Sequence, residues 1–166
     1  MGHPMEGKMG CLFWGRYDHI LDAKGRIVIP AAFRRQLGDD FVITKGRQNC
    51  LTIQTTEAFA GIINDCESGG IDLVYDDVAS SVKRVLCENA YTISADRQGR
   101  TIIPQVLRDK VGMGKEIVTV GSGSIIEVWS RDEFERVSAD DHRNFGQSLT
   151  KLRKSKEAGE KGSGDR

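Results

Sequence analysis

At 166 residues, 39% hydrophobic and 29% charged, the chain has room for one compact domain or two very small ones, and its composition is that of a soluble globular protein. No run approaches the ~18 apolar residues of a membrane helix, and the opening segment lacks the apolar core of an export signal, so the cytoplasm is the expected compartment. Lys and Arg total 24 against 24 Asp and Glu, which excludes a uniformly basic nucleic-acid binder and turns attention to where the cations cluster.

Residues 1–12 are expected to be a flexible leader, and Arg16 to Ile20 is a short strand candidate. Asp22-Ala-Lys-Gly25 is a tight turn, in which Asp can accept from the backbone ahead of it and Gly supplies positive φ. Arg26 to Ile29 is strand-like, and Pro30 suits the first position of a helix. Ala31 to Leu37 sets Phe33 and Leu37 on one helical face, with Gly38 as the stop. A hairpin follows, Phe41 to Thr44 and Cys50 to Gln54, and then a helix capped by Thr55 or Thr56. Ser68-Gly69-Gly70 reads as a break. Asp76 to Cys87 reads as a helix, with Val78, Val82, Val85 and Leu86 as an apolar stripe beside Lys83 and Arg84. Ser130 and Glu133 offer a capping box before a last helix. Beyond Leu152 the chain has no apolar anchors and is expected to be disordered.

The chain repeats itself. The pattern D-x-x-G-R-x-x-I-P-x-x-x-R spans Asp22 to Arg34 and again Asp96 to Arg108. Downstream, Val42 to Gly46 answers Ile117 to Gly121, Leu51 to Ile53 answers Ile126 to Val128, and Phe59 answers Phe134. Upstream, Tyr17 answers Tyr91. This is a duplication, and it implies two like units in a pseudo-two-fold arrangement. The boundaries read as repeat 13–59, a linking helical region 60–89, repeat 90–136, and a helix with a disordered tail over 137–166. A unit this small cannot bury a good core alone, so the two halves are expected to interleave their hairpins into one barrel.

The strongest chemical constellation is the Asp-x-Lys-Gly-Arg turn. Lys24 and Arg26 stand at or beside its tip, Arg16 lies nearby, and Arg97 and Arg100 occupy the corresponding region of the second copy. The planar arginine fork suits guanine edges or phosphates, and Asp22 can hold Arg26 in one pose, as Asp96 can hold Arg100. Gly25 and Gly99 support the turns. An equally good reading is that Asp and Arg, four apart across a glycine turn, form a salt bridge that merely fixes the loop. Arg34 and Arg108, on the short helices, read as structural or solvated.

An enzyme reading has little to stand on. Asp22 and Asp96 could meet as an acid dyad, but each has a cation beside it, which favours full ionisation over a shared proton. No nucleophile triad, phosphate loop or metal motif is present, so no catalytic residue, metal or cofactor is expected. Gly121-Ser-Gly-Ser124 reads as a hairpin turn. Cys11, Cys50, Cys66 and Cys87 form no C-x-x-C pair and read as isolated reduced thiols. His19 and His142 read as ordinary surface or packed residues.

Arg16 to Arg34 resembles the opening signature of the MraZ family, and Asp96 to Arg108 its second copy. Lys115 to Gly123 and Ile126 to Ser130 are similar to that family's later segment. The likeness covers about residues 13 to 136. The resemblance implies an α+β, mainly β fold of the AbrB type. In it two swapped-hairpin halves of one chain make a barrel with short flanking helices, as two chains do in MazE-like antitoxins. It also implies a nucleoid-associated transcription regulator that assembles as a ring of identical protomers. Such a regulator binds short direct repeats in double-stranded DNA upstream of the cell-division and cell-wall gene cluster, including its own gene, with no membrane or small-molecule substrate involved. The family's D-x-x-x-R motif falls on Asp22 with Arg26 and on Asp96 with Arg100. The chain departs in its longer leader before Phe13, and in having Arg97 and Gln98 where the first copy has Ala23 and Lys24. An antitoxin-like protein whose tail neutralises a partner is the alternative, weakened by the lack of apolar anchors at the C-terminus.

Overall fold

The computed structural model describes residues 10–68 and 76–162, the last three by their backbone alone. In chain order these form β1 (Phe13–Ile20), β2 (Arg26–Val28), α1 (Ala31–Leu37), β3 (Asp40–Lys45), β4 (Leu51–Thr55), α2 (Thr56–Glu67), α3 (Asp77–Glu88), β5 (Tyr91–Ser94), β6 (Arg100–Ile102), α4 (Gln105–Lys110), β7 (Glu116–Gly123), β8 (Ile125–Ser130) and α5 (Arg131–Gly162). The order β-β-α-β-β-α thus occurs twice, with α3 between the copies. The chain divides into two compact units, Met1–Arg131 and Asp132–Arg166.

The fold is mixed α/β with a mainly antiparallel sheet. Six strands run in the order β1-β7-β8-β4-β3-β5, and β2 pairs with β6 as a separate two-stranded ribbon. Among the described residues, only the hairpins β3–β4 and β7–β8 pair within a copy. The pairs β1–β7, β3–β5, β4–β8 and β2–β6 all join one copy to the other. Two registers are reciprocal: Arg26 faces Ile102 while Val28 faces Arg100, and Leu51 faces Val128 while Ile53 faces Ile126. Since Arg26 corresponds to Arg100 and Leu51 to Ile126, a pseudo-two-fold axis passes at Ile27 with Thr101 and at Thr52 with Glu127.

The hydrogen-bonded order does not close into the single barrel expected. β2 and β6 are three residues each and pair only with one another, so β1 and β5 remain the edges of the larger sheet.

The core explains the doubled apolar positions. Ile29, Phe33 and Leu37 from the first copy and Ile103, Leu107 and Val111 from the second are all buried in one cluster. Phe41, Ile43, Leu51, Ile53, Ile117, Ile126 and Val128 of the sheet complete it. Each large side chain so buried contributes about 1.5–3 kcal/mol. The Phe13 and Tyr17 rings both meet Phe33 edge-on, at centroid distances of 5.7 and 5.2 Å. The buried Thr44 hydroxyl donates to the Leu86 carbonyl at 3.0 Å, fastening α3 to β3. Its counterpart Thr119 meets His19 Nε2 at 2.8 Å.

Several local expectations shift. Pro30 and Pro104 are N-caps with extended ψ rather than first helical residues, and their carbonyls accept from the backbone of Phe33 with Arg34 and of Leu107 with Arg108. The leader is tied down at its end: Gln36 accepts from Leu12 N and donates to Leu12 O, both at 3.0 Å, while the Cys11 thiol donates to the Gln36 carbonyl. Thr55 caps α2 through Ala58 N, and Asp76 caps α3 through Val78 N and Ala79 N. Gly69 and Gly70 of the expected break lie outside the described residues. The α3 stripe is present, but Val78, Val82 and Val85 are exposed. The segment after Leu152 is not irregular: α5 continues to Gly162, because its Lys, Glu and Ala residues sustain a helix without any apolar anchor. Within that helix Glu133 takes both Nε and Nη2 of Arg136. Gly121 belongs to β7 and not to a turn; a Cβ there would collide with the backbone of Phe13 and Trp14 on β1. Among the described residues no helix is long and apolar enough to cross a membrane.

Candidate nucleic-acid interface

The ribbon β2–β6 and the two loops that enter it form one surface. In an antiparallel pair, residues directly opposite share a face, and the faces alternate along each strand. Ile27 and Thr101 therefore point inward and are buried, whereas Arg26, Val28, Arg100 and Ile102 share the outer face. A shallow hollow of about 390 Å³ opens on this side, lined in part by Arg26, Asp96, Arg100 and Ile102.

Each loop is built alike. Asp22 Oδ1 accepts from Lys24 N and from Arg26 N, both at 2.9 Å, and Oδ2 accepts from Arg26 Nε at 2.7 Å. Asp96 does the same with Gln98 N, Arg100 N and Arg100 Nε, at 2.9, 2.9 and 2.8 Å. Gly25 and Gly99 supply φ of 76° and 78°, a conformation that side chains disfavour. The Ile29 amide then donates to the Gly99 carbonyl, and the Ile103 amide to the Gly25 carbonyl, so each loop is bonded to the strand end of the other copy.

This geometry joins the two readings of the Asp–Arg pair. It does fix the turn. It also consumes only Nε of each guanidinium, and arginine's remaining four N–H donors are on the two Nη groups. The Arg26 and Arg100 side chains keep 25% and 36% of their surface in solvent. The carboxylates are held below their usual pKa. For Asp22 the backbone bond from Arg26 dominates, and for Asp96 that from Arg100; the guanidinium bonds add to both. Neither carboxyl is poised to share a proton, the reverse of what an acid dyad needs.

The structure brings Lys24, Arg26, Arg97 and Arg100 together with Asp22, Gly25, Asp96 and Gly99 on these two loops and the ribbon. Lys24 and Arg97 are exposed beside their turns. It does not bring Arg16 there: Arg16 stands on β1 of the larger sheet, where it pairs with Asp18 at 3.2 Å. Two features escaped the sequence reading. The Arg34 guanidinium lies against Gly99 and that of Arg108 against Gly25, each crossing to the other copy's loop. Arg108 Nε also donates to the Ile103 carbonyl at 3.0 Å. The second feature is the outward pair Val28 and Ile102, hidden because Ile27-Val28-Ile29 shows no apolar–polar alternation to mark which residue points out. All four cysteines are free, and burial pushes the Cys50 thiol up to about 11.

Residues 12–68 and 86–154 match the model of the family described as "MraZ protein, putative antitoxin-like". The chain is 35% identical over 131 residues to a protein of Acetivibrio thermocellus named transcriptional regulator MraZ, a match spanning 79% of this chain and 90% of that one. It is 38% identical over 129 residues to the protein of that name in Lachnoclostridium phytofermentans, spanning 78% and 89%. In Clostridium tetani the corresponding figures are 39% over 124 residues, 75% and 85%. Among solved structures it is similar to PHS018 from Pyrococcus horikoshii, at 20% identity over 70% of this chain and 87% of that one, with a TM-score of 0.28. The family-model match and the identities to these named relatives agree with the doubled Asp–Arg loop: the chain belongs to the MraZ family.

Proposed function

We propose that this chain is a cytoplasmic, nucleoid-associated transcription regulator that binds double-stranded DNA in a sequence-specific way through the β2–β6 ribbon and its two loops. The observation that carries this is the pair of arginines, Arg26 and Arg100, each pinned through Nε by its own aspartate with the Nη donors left to a ligand. A two-stranded ribbon is of a size to enter the major groove, and a guanidinium held in one pose loses less freedom on binding guanine O6 and N7. Lys24 and Arg97 at the loop tips reach phosphates on either side. Arg16, on another sheet, has at most a peripheral phosphate contact in this reading.

The finer parts extend this reading. Its relatives are named transcriptional regulators, and the expected targets are short direct repeats ahead of the cell-division and cell-wall genes, its own included. A ring of protomers on evenly spaced repeats suits a chain of zero net charge, because avidity adds about 10²–10⁴-fold without new contacts. A footprint of the purified protein on the DNA upstream of its own coding sequence, with its mass by light scattering, tests both. A protein that protects no segment against random competitor DNA refutes the reading.

One observation favours a second role, as an antitoxin-like partner binder. On α5, Phe145, Leu149 and Leu152 are exposed at i, i+4 and i+7, so the helix does carry apolar anchors. Copurification of a single stoichiometric partner, lost with Phe145→Ser, would establish it.

A further inference from the structure

We infer that Val28 and Ile102 determine specificity by packing against thymine 5-methyl groups in the major groove. The inference rests on the DNA-binding reading above and adds to it the base chemistry the ribbon takes.

On the outer ribbon face Arg26 lies opposite Ile102 and Arg100 opposite Val28, so the four side chains form a quartet with cations on one diagonal and aliphatics on the other. Val28 is 50% and Ile102 55% exposed, although Ile27 and Thr101 between them are buried. A lone exposed aliphatic is ordinary. Here two occupy corresponding places in the duplicated motif, related by the pseudo-two-fold that relates the arginines. Charge decides the occupant: an apolar partner face would have to bury two guanidinium groups beside the aliphatics, whereas DNA offers acceptors to the arginines. Thymine alone among the bases shows a methyl group in that groove. Opposed side chains on an antiparallel pair stand about 4.5–5.5 Å apart. Base steps rise about 3.4 Å along each strand. An aliphatic on the ribbon thus meets a base pair one or two steps from the one its arginine reads. Val28 and Ile102 are too short to reach further, so they report on the groove floor where the ribbon sits deepest.

The test uses the full chain and the duplex lying immediately upstream of its own coding sequence, made either with thymine or with deoxyuridine, which lacks only the methyl group. Fluorescence anisotropy measures binding of the wild type and of the Val28→Ala/Ile102→Ala double variant, whose folding is checked by circular dichroism and thermal melting. The wild type is expected to bind the uracil duplex at least about fourfold more weakly for each methyl group covered. The double variant should bind the thymine duplex more weakly and no longer distinguish the two. The wild-type ratio should also hold as salt is raised, since apolar contacts are not screened. If the wild type binds both duplexes alike while Arg26→Ala still weakens binding, the methyl reading falls and the DNA reading stands. If the wild type prefers neither duplex to random competitor, the DNA reading falls and takes this one with it. If the double variant changes the oligomer mass but keeps the thymine–uracil ratio, the face joins copies of the chain and the inference is wrong. Should the double variant fail to fold, Val28→Thr with Ile102→Thr, which keeps β-branched side chains on both strands but makes the face more polar, replaces it; a thymine–uracil ratio smaller than the wild type's supports the methyl contact and an unchanged ratio overturns it.

Discussion

The guanidinium of Arg108 lies against Gly25, so close that a Cβ there would stand 2.6 Å from Nη2. Arg34 stands over Gly99 in the same way, with Cζ 2.7 Å from the corresponding point. Each loop is therefore braced by a cation from the opposite copy. Gly25→Ala adds a methyl group to a residue at φ 76° and pushes Arg108 aside. The left-handed backbone alone costs about 1–2 kcal/mol. The guanidinium can swing away at small cost, so the expected loss is of that size and not larger, read from the midpoint of urea unfolding. A stability equal to the wild type would mean that the loop tolerates another backbone conformation.

Removing the reader arginine acts on binding. Arg26→Ala is expected to weaken specific DNA binding by about 1–3 kcal/mol per engaged site. It leaves Asp22 exposed and still bonded to the Lys24 amide, so the fold should persist. Asp22→Asn is the sharper test: the arginine remains, but its carboxylate partner is gone. A gel-shift titration in which Asp22→Asn binds as tightly as the wild type would show that the Asp–Arg bond does not pre-set the guanidinium.

Much of this loop was legible because its requirements are local. The duplicated D-x-x-G-R motif announced the Asp-capped turn, the positive-φ glycine and the strand that follows, and the i, i+4 spacing of Phe33 and Leu37 announced the buried face of α1. What the sequence hid is long-range. Nothing local says that Arg108 crosses to Gly25, or that β1 pairs with β7. The run of α5 past Leu152 was hidden for another reason: the absence of apolar residues there says nothing of helix propensity, which its Lys, Glu and Ala residues favour. The open strand order was also not readable, because the barrel expectation rested on how little core each half can bury alone, and that argument does not fix the length of β2 and β6, which at three residues each pair only with one another.

Salt separates the cations by role. Binding should fall steeply as ionic strength rises, with log K linear in log salt concentration and a slope of about −0.9 per phosphate neutralised. Lys24→Ala is expected to reduce that slope by about 1 for each engaged loop and to weaken cognate and random DNA alike. A slope unchanged in Lys24→Ala would place that ammonium away from the phosphates.

His19 predicts a dependence on mild acid. Burial, the larger influence, lowers its pKa, and the neighbouring Asp18 only partly opposes this; the ring bonds Thr119 between β1 and β7. The unfolded state therefore binds a proton that the folded state resists. Stability from this group is present above the unfolded pKa of 6.5 and is lost as pH falls through it toward the folded value. The melting temperature is expected to drop between neutral pH and about pH 5, the range over which an ordinary histidine titrates. His19→Gln should flatten that drop. Asp22 and Asp96 act in a lower window: their carboxylates are depressed, so their contribution persists down to about 3.8 and fades below it. A His19→Gln profile that still falls above pH 5 would assign the transition to another group.

The pairing scheme makes the strongest demand on folding. Of the strand pairs, β1–β7, β3–β5, β4–β8 and β2–β6 all join the two copies, and only the β3–β4 and β7–β8 hairpins lie within one. A fragment ending at residue 75 retains one hairpin and α1 but loses the strands that cover Phe13, Ile27 and Ile53. An isolated hairpin is at best marginally stable in water. Each half alone is thus expected to lack a cooperative thermal transition at low concentration. Mixing the halves should restore both the transition and a 1:1 complex by light scattering. Because the registers of β2–β6 and β4–β8 are reciprocal, one half can also pair with a second copy of itself, so a concentration-dependent homodimer is consistent with the same physics. A monomeric half that melts cooperatively would show that the cross-copy strand pairs are not what holds the core together.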